Sequence, residues 1–151
     1  MKRTRTAFCS IVLAVSVAAP AFAALGGDGT SVQADLARMK GALRITSSAG
    51  FTVHEITTSN GAVVREYLTP GGKVFAVTWR GPGIPDLRQM LGNYYGQYAQ
   101  AASAPHLGGH HHLAIERPGL VVQSSGHMRS YVGRAWAPDL LPQNFSVSDI
   151  N

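Results

Sequence analysis

The sequence predicts an α+β fold in which an antiparallel sheet is packed by one long helix. The first observation is that apolar residues recur at every second position between residues 51 and 79, which is the period of half-buried strands. The second is a helical spacing of apolar residues between about 86 and 103. The third is a series of short β-type runs after residue 112, separated by turn dipeptides. Strands, a helix and further strands in this order are typical of α+β proteins.

The N-terminal segment, from Met1 to Ala23, has the pattern of a secretory signal peptide. Lys2, Arg3 and Arg5 precede an apolar run over residues 7–19, and Ala21-Phe22-Ala23 follows it. A short basic region, a short apolar region and an A-x-A site are the parts of such a signal. The run is shorter than the roughly 20 apolar residues that span a bilayer. We therefore expect cleavage after Ala23, a periplasmic or secreted product, and no stable membrane span.

Cleavage changes the composition of the 151-residue chain, whose formal charge is +5. The segment that is removed holds three of the 13 Lys and Arg side chains and none of the 8 Asp and Glu side chains. The formal charge of the mature chain is then +2, which argues against a nucleic-acid partner. The single cysteine, Cys9, is also removed, and this excludes a disulfide scaffold. The remaining length suits one α+β domain over residues 24–151.

The mature chain is expected to begin with a short helix. Residues 24–29 are rich in glycine and are expected to form a lead-in without regular structure. Thr30 or Ser31 can then cap a helix that runs to Lys40, and Gly41 can end it. The apolar stripe of this helix consists of Val32, Leu36 and Met39.

A three-strand meander is predicted over residues 51–79. Its strands are FTVHEITT, AVVREYLT and KVFAVTW, separated by Asn60-Gly61 and by the turn at 70–72. Asn-Gly between two β-rich runs is typical of a two-residue hairpin loop, because both central residues of a type I′ turn need positive φ.

Two registers remain open for the first hairpin of the meander. A two-residue loop pairs Glu55 with Glu66 and places both carboxylates on one face, where one of them would have a raised pKa. A three-residue loop, with a bulge at Gly61, pairs Glu55 with Arg65 and His54 with Glu66. The first register favours acid–base chemistry, and the second favours charges that satisfy one another.

The long helix is expected to start at Asp86 and to reach about residue 103. Its apolar stripe consists of Leu87, Met90, Leu91, Tyr94, Tyr95 and Tyr98. The runs HLAIER, GLVVQSS and HMRSYVGRAW then predict C-terminal strands, with turns at Pro118-Gly119 and Ser125-Gly126. Residues 138–151 contain two prolines and are expected to close the domain in an extended or turn-rich form.

Four side chains are candidates for catalysis, namely Glu55, Glu66, His54 and His127. A hydrolase acting on a cell-envelope substrate would need such an acid and base in one pocket. The sequence contains no G-x-S-x-G nucleophile motif and no cofactor-binding glycine motif. The hydrolase is therefore an alternative to a binding function, and no cofactor is predicted.

A histidine-rich segment gives a third hypothesis. His106, His110, His111 and His112 could bind Zn or Cu, since imidazole is a common ligand for these ions. A structural zinc site takes four ligands, and the mature chain has no cysteine to complete one. The leading prediction therefore includes no metal site, and weak metal binding is kept as the third alternative.

The leading functional prediction is a non-catalytic binding module of the cell envelope. Cationic and aromatic side chains on strands can hold an anion, a protein or a polymer. The candidates, expected to be exposed, are Arg65, Tyr67, His127, Arg129, Arg134 and Trp136. An envelope protein or polymer is the expected partner.

Two blocks of the sequence carry a family resemblance. TWRGPGIPDLRQMLG and SGHMRSYVGRAWAPDLLP, together with VHEI and VVREY, resemble a family of small exported bacterial proteins catalogued as a domain of unknown function. The resemblance extends from about residue 24 to residue 150. It implies export and a single domain, and it brings no activity, cofactor or catalytic residue. The histidine-rich segment lies outside the matching blocks, so the resemblance does not support a metal site there.

Overall fold

The computed structural model describes residues 24–29, 36, 39–104 and 112–151. Its strands are β1 (Ala42–Ser48), β2 (Phe51–Thr57), β3 (Val63–Leu68), β4 (Val74–Gly81), β5 (His112–Arg117), β6 (Leu120–His127) and β7 (Ser130–Trp136). The helices are α1 (Leu87–Leu91) and α2 (Tyr95–Ala102), joined by a 3-10 turn (Gly92–Tyr94). Two further 3-10 turns (Pro138–Leu140 and Val147–Asp149) lie in the C-terminal tail.

The strands form one antiparallel sheet in the order β1-β2-β3-β4-β7-β6-β5. The predicted α+β class, the meander and the C-terminal strands are confirmed. The sheet is larger than predicted because β1 precedes the meander and pairs with β2. Leu43 and Ile45 alternate with polar residues in β1, and Gly50 turns the chain at a φ of 89°. β1 is largely exposed, so its amphipathic pattern in the sequence is weak.

Residues 24–29, the predicted lead-in, are hydrogen-bonded both to α1 and to the sheet. The amide of Leu25 donates to the carbonyl of Met90 at 2.9 Å, and that of Gly26 donates to the carbonyl of Val74 at 2.8 Å. Asp28 forms an isolated antiparallel bridge with Lys73. The short N-terminal helix predicted over residues 30–40 falls mainly on residues outside those that the structure describes.

The β2–β3 hairpin has the three-residue register. Glu55 pairs with Arg65 and His54 pairs with Glu66. The loop is closed by a hydrogen bond from the Thr58 amide to the Ala62 carbonyl at 2.8 Å. Gly61 has a φ of 81°, whereas Asn60 is not in the left-handed region. The expected type I′ turn is therefore wrong: a left-handed glycine after a three-residue loop gives the bulged hairpin that the charges favour.

The β6–β7 turn lies further along the chain than expected. The Pro118-Gly119 turn is confirmed, but Ser125-Gly126 lies inside β6, and Met128 and Arg129 form the turn. Gly126 pairs with Tyr131, and a Cβ on it would lie only 2.6 Å from Tyr131 Cδ1. This glycine therefore permits a close approach of two strands and does not make the turn.

The long helix begins and ends as predicted but is interrupted. Asp86 caps it by accepting hydrogen bonds from the amides of Arg88 (2.9 Å) and Gln89 (3.3 Å). Gly92 has a φ of 49°, and a Cβ there would lie 2.4 Å from Cβ of Ala24. The chain at Ala24 and Leu25 therefore crosses the helix at Gly92, where α1 ends and the 3-10 turn begins.

The two sides of the sheet are covered differently. We call the side under α1, α2 and residues 24–29 the helix face, and the side partly covered by residues 141–151 the tail face. The buried helix-face core includes Leu25, Val64, Val77, Trp79, Met90, Leu91, Val122 and Ala135. The tail-face core consists of Tyr67, Phe75, Ala76, Trp136 and Ile150, with Phe145 packed against it. Among the residues described here, no helix is both long and apolar enough to cross a membrane.

Candidate functional site

Strand alternation and register place side chains of the tail face in rows across the sheet. The polar row consists of Glu55, Arg65, Thr78, Arg134 and Gln123. The row beyond it consists of Thr57, Val63, Arg80, Val132, Ser125 and His112. On the other side of the polar row lies the row that contains Tyr67 and Trp136, and the tail covers it. The tail reaches the polar row through the main chain of Val147, Ile150 and Asn151. Much of the two rows therefore stays open.

This open part of the tail face forms a groove with a volume of about 500 Å³. That volume lies within the range of ordinary small-ligand sites, roughly 300–1,000 Å³. Among the described residues that line the groove there is no Asp or Glu. The side chains that give it its character are Arg65, Arg80, Arg134, Thr78, Val63 and Val132. The groove is thus cationic and partly apolar.

Arg65 is fixed on one side of the groove by an acid and by the tail. Its Nε donates to Glu55 Oε2 at 2.7 Å, and its Nη1 donates to the main-chain oxygen of Asn151 at 2.7 Å. The hydrogen bond from Arg65 to Glu55 raises the pKa of the guanidinium more than burial lowers it. The side chain is still 36% exposed. Arg65 therefore stays charged and keeps its position while facing the groove.

Arg134 is fixed in a similar way on the neighbouring side. Its Nε donates to Gln123 Oε1 at 2.9 Å, and its Nη1 donates to the carbonyls of Val147 and Ile150, both at 3.3 Å. Its guanidinium also lies 5.4 Å from the ring centroid of Trp136. The tail backbone is therefore held largely by side chains of the sheet.

Arg80 differs from these two arginines because its side chain is exposed and forms no hydrogen bond or ion pair with the part of the chain that the structure describes. In register it lies between Val63 and Val132, and Val132 is 43% exposed. Arg80 is not among the binding residues that the sequence predicts. Its two-residue spacing from Thr78 places both side chains on one face of β4, but only the order of the strands shows that Arg65 and Arg134 share that face.

The predicted binding residues fall into three groups. Arg65 and Arg134 line the groove. Tyr67 and Trp136 are only 3% and 7% exposed, so the expectation that they are exposed is wrong: the tail packs over their row. His127 and Arg129 lie at the end of β6 and in the following turn, outside the groove lining.

The candidate catalytic side chains do not meet in one cleft. Glu55 lies on the tail face beside Arg65, whereas Glu66 is 2% exposed on the helix face. His54 lies opposite Glu66, and burial lowers the pKa of its imidazole. His127 is separated from that hairpin by strands β4 and β7. The pair of carboxylates on one face, which the two-residue loop would have produced, is not formed.

The histidine segment is only partly described. His112 lines the groove, and His106, His110 and His111 lie outside the described residues. Within the described ranges there is no group of three or more His, Cys, Asp or Glu residues that could hold a metal ion.

Comparison with known proteins gives one match. No curated protein and no solved structure matches the chain. The family model described as "Protein of unknown function (DUF2844)" matches residues 21–150, which is most of the chain and includes every described strand and helix. The match confirms the resemblance to a family of unknown function, and the chain belongs to the DUF2844 family.

Proposed function

We propose that the chain is an exported, non-catalytic binding protein of the cell envelope. In this proposal the groove on the tail face holds a small ligand that has an anionic group and an apolar body. The observation that carries it is a groove of about 500 Å³ lined by three arginines and no described acid. Such a site attracts an anion through its positive potential.

The anionic group of the ligand would lie on Arg80. Arg65 and Arg134 already donate to protein oxygens, so they contribute positive potential from fixed positions. Arg80 has its donors available, and a guanidinium binds a carboxylate or phosphate with two parallel hydrogen bonds. Fixed charges around one available cation are what a pre-organised anion site needs.

The apolar body of the ligand would lie on Val63 and Val132. These two side chains flank Arg80 in the same row, and Val132 is 43% exposed. A ligand that covers them removes apolar surface from water, which favours binding by roughly 25 cal/mol per Å². Binding rather than catalysis is favoured because the four candidate side chains do not meet in one cleft. Glu55 lies on the tail face, the neighbouring pair of His54 and Glu66 lies on the helix face, and His127 lies on β6.

Export is supported by the basic, apolar and small-residue regions between Met1 and Ala23. The proposed cleavage leaves Ala24 first, and Ala24 is already packed in the fold. Mass spectrometry of the periplasmic and secreted fractions tests this directly. We expect a chain that begins at Ala24, and an intact chain beginning at Met1 in the cytoplasm would contradict export.

The binding proposal is tested by titrating the purified protein with octanoate, octanol and acetate, followed by calorimetry and amide chemical shifts. We expect octanoate to bind about tenfold more tightly than octanol or acetate. Only octanoate has both a carboxylate and a long apolar chain. Shifts should centre on Arg80 and Val132.

The matched variants are Arg80→Gln and Arg44→Gln. Arg44 lies opposite Glu55 on the same side of the sheet, is exposed, and does not line the groove. We expect about a tenfold loss of octanoate affinity in R80Q, since a charge-assisted pair is removed, and no change in R44Q. Equal binding by octanol and octanoate, or an equal effect of the two variants, would overturn the proposal.

A further inference from the structure

Several turns meet at one end of the sheet, which we call the turn end. β4 reaches this end at Gly81, which pairs with Tyr131 just after the β6–β7 turn. The β2–β3 loop is there too, because a Cβ on Gly81 would lie 2.6 Å from Cβ of Ala62. The turn end therefore consists of residues 58–62, 82–85 and 128–129.

The turn end presents large apolar side chains to solvent. Met128 is 85% exposed and Ile84 is 56% exposed. Val132, 43% exposed, lies close to the start of β7. The fourth exposed large apolar residue of the described chain is Ile45, on the edge strand β1. Apolar exposure is thus concentrated at this end.

Among the residues that the structure describes, the charges near the turn end are mainly positive. Arg129 lies in the turn, Arg80 is next to the last residue of β4, and Lys40 precedes β1. The acid that follows the 82–85 loop, Asp86, is engaged in capping α1. Three described acids lie toward the opposite end of the sheet, namely Asp28, Glu116 and Asp139.

The β6–β7 turn holds two non-glycine residues in the left-handed region. Met128 has a φ of 49° and Arg129 a φ of 68°. A two-residue hairpin loop of this kind favours Asn-Gly, because side chains with a Cβ are strained at positive φ. Strained backbone is concentrated at functional positions. Here the strain accompanies a methionine and an arginine at the tip of a hairpin.

We propose that the turn end docks on an anionic lipid surface. Met128 and Ile84 insert among the headgroups, and Arg129 lies at the phosphates. A lipid surface suits single protruding apolar side chains, since it needs no shape to match them, and anionic headgroups suit the cations around them. This inference is independent of the groove ligand, because it rests on the turns and on Met128.

The test is sedimentation of the purified protein with vesicles of phosphatidylglycerol and phosphatidylcholine, and with vesicles of phosphatidylcholine alone. We expect binding to the anionic vesicles only, with a loss at high salt because the surface potential is screened. Equal binding to both vesicles would overturn the proposal. Binding to soluble polyglutamate without binding to vesicles would overturn it in favour of an acidic protein.

The matched variants are Met128→Asp and Ile45→Asp, which place the same charge at two exposed apolar positions. We expect Met128→Asp to weaken vesicle binding at least tenfold and Ile45→Asp to leave it unchanged. Circular dichroism verifies that both variants fold. Equal losses in the two variants would contradict docking through the turn end.

A third variant separates strain from docking. Met128→Asn with Arg129→Gly gives the turn residues that positive φ favours, so the fold is expected to be more stable. We expect this double variant to lose vesicle binding at least tenfold all the same. If it bound anionic vesicles as the wild type does, the proposal would be wrong.

Discussion

The two faces of the sheet are stabilised by different interactions. On the helix face, an interrupted helix and residues 24–29 bury a continuous apolar core that includes Trp79, Leu91 and Val122. On the tail face, a short irregular segment is anchored by Phe145 and Ile150 and by hydrogen bonds from arginines to its backbone. The helix face therefore supplies most of the apolar stabilisation, and the tail face leaves room for a ligand.

Because of this difference, mutations on the two faces should change stability by different amounts and with different salt dependence. The free energy of apolar packing is not screened by salt, and it depends strongly on added or removed volume. Ion pairs at partly exposed positions are screened by salt and contribute little. We therefore expect large, salt-independent effects on the helix face and smaller, more local effects on the tail face.

The largest expected effect is that of Gly133→Ala on the helix face. The indole of Trp79 covers Gly133 so closely that a Cβ would lie 2.1 Å from Cζ2 and 2.3 Å from Cε2. The ring must move, and we expect a loss of about 3 kcal/mol in the free energy of unfolding. Urea denaturation measures it.

The matched control for Gly133 is Gly96→Ala. Gly96 lies in α2, and a Cβ on it would have no neighbour within 4 Å. Alanine is the better helix former, so we expect a gain of about 0.5–1 kcal/mol. If Gly133→Ala and Gly96→Ala changed the midpoint of urea denaturation equally, close packing of Trp79 on Gly133 would not explain the loss of stability.

Phe145→Ala is expected to have the next largest effect, on the tail face. The Phe145 ring lies 4.8 Å from that of Phe75 and 5.1 Å from that of Phe51, both in edge-to-face geometry. Removing a partly buried ring is expected to lower the free energy of unfolding by about 2 kcal/mol. Amide exchange should become faster over residues 147–151, and the helix should keep its protection. Unchanged exchange in the tail would show that Phe145 does not anchor it.

The strands and the long helix were predictable because their periodicity comes from one-sided burial. β2, β3 and β4 alternate, and the stripe from Leu87 to Tyr98 repeats at helical spacing. Turn dipeptides were less reliable. Asn60-Gly61 forms a bulged loop because cross-strand charges set the register, and Gly126 serves close strand packing against Tyr131.

The groove could be predicted only in part. Arginine side chains such as Arg65 and Arg134 suggested a binding role. The sequence did not show that both also donate to main-chain oxygens of the C-terminal tail. The placement of Arg80 among them depends on β4 pairing with β7, which no local pattern specifies. The rows that the tail covers depend on its packing against Tyr67, Phe75 and Trp136, which no local pattern specifies.

A smaller effect is expected for Glu55→Gln on the tail face. The substitution removes the ion pair with Arg65, in which the Glu55 and Arg65 side chains are 25% and 36% exposed. We expect a loss below about 1 kcal/mol at low salt that disappears at high salt. Arg65 keeps its bond to Asn151, so the tail should stay docked. A loss that persists at high salt would contradict an electrostatic origin.

The smallest expected effect is a pH dependence that arises from His54, at the margin of the helix-face core. Its Nδ1 is buried and has no hydrogen-bond partner among the described residues, and Ile45 and Glu66 are its cross-strand neighbours. Burial lowers the pKa of the folded imidazole below its usual value of about 6.5. The unfolded chain then binds this proton more readily, so the stability that neutral His54 contributes is present above pH 6.5 and is lost as the pH falls toward the folded pKa. We expect His54→Gln to show a smaller loss of stability between pH 7 and pH 5 than the wild type in urea titrations. Identical pH slopes in the two proteins would show that His54 is not the group that links protonation to folding.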